Sequence, residues 1–418
     1  MTKRYSPAPR PCLYGGEYQD ARCGVLLLNL GSPDSPAVED VHRYLDEFLM
    51  DRRVIGLTQW VRYLLVKKMI VPRRAPRSAE SYATIWDERA QNFPLITHSA
   101  AIAEQLSALR HEPVALGMRY GSPTTGEALE ALASMPALEE LVIAPLYPHY
   151  ARSSYETAVA YALSELRRLG LGHLRVRLLA PFYADEHYRE ALAASVRPYL
   201  EEPFDRLIVS MHGIPTSHIP KACRHDNGVV GGCASRRSWH ERWGEEDCYR
   251  LQCEETKDYL CRDLGLAPDK VELVYQSRLG IHEWMRPYMS ERIHQLVPEG
   301  VKRVVVVCPG FVCDCLETVQ EIDDYYHGIF EREGGERFSY VPCLNSSPTF
   351  IQSLSELVTA TLADPCRGRT RTSASPVVNS WEAPESRVRT RSPENVHPAR
   401  WGSMSTVKLP WPEEPAGT

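Results

Sequence analysis

The sequence lacks any long apolar run. No stretch reaches the about 18 consecutive apolar residues of a membrane-spanning helix, and residues 1–15 lack the apolar core of a secretory signal. We therefore expect a cytoplasmic protein with, at most, peripheral contact with the inner face of the membrane. A dominant charge is also missing, since 48 Lys and Arg face 54 Asp and Glu and leave a net charge of −6. That balance argues against broad capture of nucleic acid, and we predict no nucleic-acid partner.

The chain is ordinary in composition apart from its cysteines. Its 418 residues allow two or three domains, and 43% hydrophobic with 24% charged residues is typical of a soluble globular protein. It contains twelve cysteines. In a protein that is not exported, these are expected to be free thiols, metal ligands or cluster ligands rather than disulfides.

Eight short apolar segments alternate with helical segments. Each ends in a Gly, Pro or polar turn and is largely apolar on both faces, which predicts parallel strands covered by helices on both sides. The segments are residues 24–29, 114–119, 141–145, 174–180, 207–211, 271–276, 304–309 and 338–344. The predicted fold class is therefore α/β.

The first four segments match the last four in order and in how they end. LLLNLGSP corresponds to LIVSMHGIP, ALGMRYGSP to LVYQSRLG, and LVIAPLYPHY to VVVVCPGFVCD. This predicts an internal duplication giving two domains, each with a parallel four-stranded sheet; two unrelated α/β domains are the alternative. Ligands of such sheets bind beyond the carboxyl ends of the strands, so the cleft between the domains is the expected site.

Changes in composition give the remaining boundaries. Residues 221–253 are a Cys-, Gly- and charge-rich insertion, and the Pro-, Ser- and Arg-rich residues 364–418 are predicted to be a disordered tail because they offer little apolar surface to bury. The other divisions are a flexible N-terminal extension (1–22), the first domain (23–180), the second domain (181–344) and a C-terminal helix packing back on the body (345–363).

His212 immediately follows the predicted strand 207–211, in the turn His-Gly-Ile-Pro. A strand-end imidazole in the cleft could accept a proton or bind a metal near neutral pH. A hydrogen-bonded turn histidine is the alternative, and the turn alone favours it. The acidic segment after strand 304–309 favours a functional role, because it begins at the same cleft.

Four carboxylates make up that acidic segment. Asp314, Glu317, Glu321 and Asp324 are 3, 4 and 3 positions apart, which on an α-helix places them along one face. Like charges this close are expected to raise some of the carboxyl pKa values. The row could take up protons or pass a hard divalent cation along; a solvated acidic face is the alternative.

The insertion contains Cys223, Cys233, Cys248 and Cys253, separated by nine, fourteen and four residues. Four thiolates suit a tetrahedral Zn²⁺ or an iron–sulfur cluster. The absence of a CxxC pair disfavours a zinc ribbon, and unligated thiols are the alternative.

Residues 60–74, WVRYLLVKKMIVPRR, predict an apolar helix with a basic flank. The helix is either a plain core helix or a lip that contacts an apolar substrate or the membrane surface.

Taken together, the motifs resemble the ferrochelatase family. From about residue 24 to residue 362 the matching segments are LLLNLGSP, DVHRYLDEFLMD, RVI, GMRYGSP, APLYPHY, MHGIP, YQSRLG, EWMRP, PGFVCDCLET with EI, and PCLN. The resemblance implies two Rossmann-like, chelatase-like domains around a porphyrin cleft. It also implies insertion of Fe²⁺ into a dianionic porphyrin, so the expected partners are porphyrin and Fe²⁺ as substrates, with protein partners unknown.

The resemblance assigns roles to the acidic and basic residues. His212 takes the place of the HGIP histidine and Glu317 that of the DCLET glutamate. The implied roles are to flank the macrocycle, bind the incoming iron and accept pyrrole protons. Glu321 continues the family's acidic row, which is implied to relay protons or metal, and the spacing adds Asp314 and Asp324 to this predicted relay.

The matching motifs also imply a porphyrin pocket that includes Leu30, Arg119, Tyr120 and Tyr147. Coproporphyrin-type members carry Tyr at the position of Leu30, so protoporphyrin IX is the favoured substrate. Two motifs depart from the family: ERAQNFPLI replaces the GSP loop after the IW motif, and His149 stands where the family usually has Gln.

The insertion resembles that of bacterial ferrochelatases that carry a [2Fe–2S] cluster on four internal cysteines. The implied cofactor is therefore a [2Fe–2S] cluster, and its implied ligands are Cys223, Cys233, Cys248 and Cys253. Ligands in a C-terminal extension are disfavoured because the tail contains only Cys366.

Three other functions stay open at this level. A coproporphyrin ferrochelatase would differ only in its substrate. A cobalt or sirohydrochlorin chelatase shares the fold but tends to use paired histidines, whereas Glu317 accompanies His212 here. A non-catalytic porphyrin-binding protein would not need a row of carboxylates.

Overall fold

Two β-sheets, one in each half of the chain, form the framework of the protein. The computed structural model describes residues 5–15, 18, 20–219, 248–278 and 283–363. The strands of the first sheet are β1 (Leu13–Tyr14), β2 (Cys23–Asn29), β3 (Val114–Met118), β4 (Glu140–Pro145) and β5 (Arg175–Leu178). Those of the second are β6 (Arg206–His212), β7 (Val271–Gln276), β8 (Arg303–Val307) and β9 (Arg337–Val341).

The two sheets have the same strand order. The first is ordered β1-β3-β2-β4-β5 and the second β7-β6-β8-β9, so β2, β3, β4 and β5 correspond to β6, β7, β8 and β9. These eight strands pair in parallel, which confirms the predicted α/β fold. The central strands β2 and β6 are apolar because neighbours and helices bury both of their faces.

Helices cover both sheets. The α-helices are α1 (Val38–Met50), α2 (Gln59–Tyr63), α3 (Val71–Thr84), α4 (Pro94–Arg110), α5 (Thr125–Ala133), α6 (Thr157–Arg168), α7 (Glu186–Val196), α8 (Tyr249–Asp263), α9 (Met289–Leu296), α10 (His327–Arg332) and α11 (Pro348–Ala363). Three π-helices span Leu64–Ile70, Arg152–Glu156 and Leu316–Tyr326, and short 3₁₀ turns span Arg197–Leu200, Thr216–His218 and Pro268–Lys270. None of the helices in these described ranges has the length and apolar character needed to cross a bilayer.

The N-terminal extension departs from the expected flexible arm where it is described. Leu13 and Tyr14 form β1, a fifth strand that pairs antiparallel with β3. Upstream of it, the Arg10 guanidinium donates to Asn92 Oδ1 at 3.1 Å and to the Pro33 carbonyl at 3.0 Å. These bonds attach the extension to the first half of the chain.

One apolar core connects the two halves. It includes Leu27 of β2, Val209 of β6 and Leu354 of α11. α11 packs against α4 of the first half and against α7, which follows the boundary at residue 180, so the C-terminal helix contacts both halves. Most of the insertion and the whole of the tail (364–418) lie outside the described residues.

Candidate active site

His212 is the last residue of β6 and lies opposite Gln276 at the end of β7. Gly213 follows it, and the Gly213 N–H donates to the Gln276 carbonyl at 2.9 Å. A Cβ at position 213 would lie only 2.9 Å from the Gln276 carbonyl oxygen. Glycine therefore lets the turn pass close to β7, and this close approach fixes where His212 leaves the sheet.

The hydrogen bonding of His212 selects one tautomer. Its Nδ1 lies 2.6 Å from the Gly213 carbonyl, which can only accept, so Nδ1 carries the hydrogen and Nε2 keeps a free lone pair. Burial lowers the pKa of His212, and the charge of Glu317 opposes this only in part. The imidazole is consequently neutral at pH 7 and able to accept a proton.

Apolar rings flank this imidazole. The Trp284 and Phe311 rings lie 6.4 and 6.2 Å from it, centre to centre. Flat apolar surfaces beside a base suit a flat, apolar macrocycle better than a small polar substrate.

Glu317 lies in the first turn of the π-helix Leu316–Tyr326. Gln276 Nε2 donates to the Glu317 main-chain carbonyl at 2.7 Å. The charge of its carboxylate acts on His212 and on two tyrosines of the first half, Tyr44 of α1 and Tyr82 of α3. The structure thus brings His212 and Glu317 together and directs Glu317 towards the opposite side of the cleft.

Glu321 lies four residues further along the same helix. Its carboxylate accepts hydrogen bonds from Ser277 N at 3.0 Å and from Ser277 Oγ at 2.5 Å. Burial raises the pKa of Glu321 to about 7, against the hydrogen bonds from Ser277. Near neutral pH this carboxyl therefore exists in both protonation states, as a proton relay requires.

The prediction that all four carboxylates share one α-helical face is wrong. The segment is a π-helix, whose i→i+5 hydrogen bonds give more residues per turn than the 3.6 of an α-helix. Positions four apart stay close in direction, so Glu317 and Glu321 still form a pair. Positions seven apart turn away from each other, and Asp324 is exposed.

Asp314 precedes the helix and is buried. Its carboxylate accepts hydrogen bonds from Tyr340 Oη at 2.5 Å, Asn345 Nδ2 at 2.7 Å and Thr318 Oγ1 at 3.0 Å. These donors occupy the carboxylate, so its place in the structure is that of an anchor for the loop after β8.

Two predicted pocket residues, Arg119 and Tyr120, make hydrogen bonds to a buried carboxylate of the protein itself. Arg119 Nη2 and Tyr120 Oη donate to Asp51 Oδ2 at 2.5 and 3.0 Å, and Thr157 donates to the same oxygen. Asp51 therefore holds the polar groups of both pocket residues, and a porphyrin carboxylate would have to displace it.

The other two predicted pocket residues, Leu30 and Tyr147, are not held by Asp51. Leu30 is half-buried and packs against two apolar clusters of the first half. Tyr147 is buried, and within the described ranges its hydroxyl has no hydrogen-bond partner.

Sequence reasoning missed several residues of the cleft. Gln276 and Ser277 lie in the YQSRLG motif, whose sequence alone predicts no role for either side chain. Arg74, in the basic flank of residues 60–74, is half-buried and acts electrostatically on Tyr82. Burial lowers the pKa of Arg74, yet it remains a cation at neutral pH, close to the cleft.

Two of the four candidate cluster cysteines are described. Cys248 and Cys253 are completely buried at the start of α8, whereas Cys223 and Cys233 lie outside the described residues. In the part of the chain that the structure covers, no three His, Cys, Asp or Glu side chains form a metal-binding group.

Comparison with known proteins covers nearly all of the described chain. The ferrochelatase family model matches residues 22–362. The ferrochelatase of Porphyromonas gingivalis is 46% identical over 345 residues, which cover 81% of this chain and 96% of that protein. The ferrochelatase of Azotobacter vinelandii is 42% identical over 80% of this chain and 97% of its own length.

A solved structure, SirB from Bacillus subtilis with Fe³⁺, covers 82% of this chain and 96% of its own at 11% identity and a TM-score of 0.48, which is too distant to bear on function. The family match and the identity to the curated relatives are decisive: the chain belongs to the ferrochelatase family.

Proposed function

We propose that this protein inserts Fe²⁺ into protoporphyrin IX, making haem and releasing two pyrrole protons. The observation that carries the proposal is the neutral imidazole of His212 beside the Glu317 carboxylate, between aromatic rings, in a chain of the ferrochelatase family. The curated relatives are named ferrochelatases. These names favour iron insertion over the alternatives of a cobalt or sirohydrochlorin chelatase and a non-catalytic porphyrin-binding protein.

The proposed mechanism uses the two residues as a pair. Nε2 of His212 accepts one of the two pyrrole protons as the metal enters, and the Glu317 carboxylate, which first stabilises the incoming cation, accepts the other. Glu321 then passes protons away from Glu317, because its pKa of about 7 lets it accept and release them at neutral pH. Asp314 and Asp324 are left out of this relay, since one is hydrogen-bonded as an anchor and the other is exposed.

Protoporphyrin preference is proposed from Leu30, an apolar residue where coproporphyrin-type members have Tyr. Anaerobic assays with Fe²⁺ and either porphyrin test it, with Leu30→Tyr as the matched variant. We expect a higher kcat/KM for protoporphyrin in the natural protein and a smaller ratio in the variant. A higher kcat/KM for coproporphyrin in the natural protein would contradict the assignment.

A [2Fe–2S] cluster on Cys223, Cys233, Cys248 and Cys253 is proposed as the resident cofactor. The burial of Cys248 and Cys253 fits thiolate ligands shielded from solvent. When bound, such a cluster would cross-link the insertion. Protein isolated anaerobically should contain iron and acid-labile sulfide at about two each per chain, and Cys248→Ser should remove both. Zinc without sulfide would refute the cluster.

Peripheral membrane contact is proposed for the surface around α2. Trp60, Leu64 and Met69 are 69%, 50% and 51% exposed, next to the cations Lys67 and Lys68. Exposed apolar side chains beside cations suit an anionic lipid surface. Co-sedimentation with anionic vesicles should fall in a Trp60→Ser/Leu64→Ser variant; unchanged binding would contradict the contact.

A further inference from the structure

Tyr249, the first residue of α8, joins this helix to the turn that carries His212. Its hydroxyl donates a hydrogen bond to the His212 main-chain carbonyl at 2.8 Å. The loop after β8 also approaches the Tyr249 hydroxyl oxygen, since a Cβ at Gly310 would lie 4.0 Å from that oxygen. The phenol oxygen therefore lies close to both loops that frame the imidazole, one carrying His212 and the other Phe311.

The phenol ring is held in place from its other side. Tyr249 is only 8% exposed, and the His149 ring meets it nearly perpendicularly, 6.2 Å away. His149 is itself stacked on Tyr183 at 5.3 Å and hydrogen-bonded to Thr256 at 2.8 Å. A ring so confined cannot swing away, so its hydroxyl stays directed at the catalytic turn.

Tyr249 also lies between two buried cysteines. Cys248 precedes it in the chain, and the Cys253 thiol, one turn further along α8, is close enough to act electrostatically on the Tyr249 hydroxyl. Any bond that holds Cys248 and Cys253 in place also holds the first turn of α8 in place, because both residues lie at the start of this helix. A displacement there reaches the His212 carbonyl through the Tyr249 hydroxyl.

We propose that Tyr249 is a positioning residue that keeps the Nδ1–H of His212 on the Gly213 carbonyl and transmits the state of the cysteine-rich insertion to this turn. The proposal rests on the proposed role of His212 as proton acceptor. The His212 and Gly213 carbonyls flank one turn, so loosening the first frees the second to rotate. The imidazole then loses its acceptor for Nδ1–H, and Nε2 is no longer the only basic nitrogen.

Tyr249→Phe tests the positioning role, with Tyr183→Phe as the matched control. The Tyr183 hydroxyl donates instead to Glu255 of α8 at 2.7 Å. One lost hydrogen bond, worth about 1 kcal/mol, corresponds to roughly a 3- to 10-fold loss. We expect that loss in kcat for Tyr249→Phe, with the porphyrin KM unchanged, and no change for Tyr183→Phe.

Long-range ¹H–¹⁵N spectra of ¹⁵N-histidine-labelled protein give a readout independent of catalysis. The His212 ring signals, identified by their loss in His212→Ala, should show the Nδ1–H tautomer in the natural protein and a mixture in Tyr249→Phe. An unchanged tautomer in Tyr249→Phe, or the same mixture in Tyr183→Phe, would overturn the positioning role. This readout holds even if His212 proved dispensable for turnover, so the two failures are distinguishable.

The link to the insertion is tested by a double-mutant comparison. Cys248→Ser should shift the His212 tautomer in the natural background and have little further effect when Tyr249 is already Phe. Equal effects in the two backgrounds would overturn the link, because the insertion would then act by another route.

Discussion

At the residue scale, the chemistry of the cleft depends on which groups already have partners. His212 has used Nδ1 on a neighbouring carbonyl, which leaves Nε2 for substrate. Asp314 and Arg119 are engaged with buried partners, although their sequence motifs resemble functional ones. Glu321 combines burial with two hydrogen bonds from Ser277, and this balance sets its pKa near neutrality. The motifs predicted which residues matter, but not these hydrogen bonds, because they join strands distant in sequence.

Glu317→Gln should strongly lower the kcat of metal insertion, whereas Asp324→Asn should leave this kcat close to normal. The first substitution removes the carboxylate beside His212, and loss of a positioned acid–base group costs roughly 10²–10⁴-fold. The second changes an exposed carboxylate that the π-helix turns away from the pair. Steady-state kcat with Fe²⁺ and protoporphyrin is the measurement. A larger loss for Asp324→Asn would mean that the relay follows an α-helical face after all.

Glu321→Gln should change how stability depends on pH. The folded-state pKa of about 7 exceeds the ordinary value of 4.5, so between these values the folded state holds a proton that the unfolded state has lost. The natural protein therefore loses stability relative to Glu321→Gln as pH rises from 4.5 through 7, by about 3 kcal/mol at most.

Thermal unfolding of both proteins between pH 5 and pH 8 measures this difference. The Tm of Glu321→Gln minus that of the natural protein should increase with pH, while the same difference for Asp324→Asn should stay flat. A constant difference for Glu321→Gln would show that the carboxyl titrates at its ordinary pKa.

At the scale of elements, the sheets were predictable and the helix after β8 was not. Runs such as residues 207–211 are apolar on both faces because a central parallel strand is covered on both sides, and their order repeats in the two halves. An α-helix and a π-helix bury similar side chains over one turn, so spacing alone could not tell them apart. In the structure Thr318, Ile322 and Tyr326 are the buried positions, a four-residue repeat that suits the wider helix.

The C-terminal helix α11 should mark the limit of tolerated truncation. It buries Phe350, Leu354 and Val358 completely, and burying each such side chain contributes about 1.5–3 kcal/mol, which together rivals the total stability of a typical domain. A chain ending at Asp364 should keep its activity and Tm, whereas one ending at Ser347 should fail to fold. A large drop in Tm for the longer truncation would show that the tail packs against the body.

At the scale of the whole molecule, the two halves supply different parts of the site. The second half provides His212, Glu317 and Glu321. The first half provides Tyr44, Tyr82 and Arg74 across the cleft. The duplication and the cleft could be read from the repeated motifs. The attachment of the N-terminal segment by Arg10 and β1 could not, because a two-residue strand leaves no pattern in the sequence.

The most direct test of the account is Fe²⁺ insertion into protoporphyrin by His212→Ala under anaerobic conditions, followed as loss of porphyrin fluorescence. His42→Ala, which changes an exposed histidine of α1, is the matched control. We predict a roughly 10²–10⁴-fold lower kcat for His212→Ala, with a Tm near that of the natural protein, and normal turnover for His42→Ala. Near-normal turnover by a folded His212→Ala protein would contradict the assignment of His212 as the base.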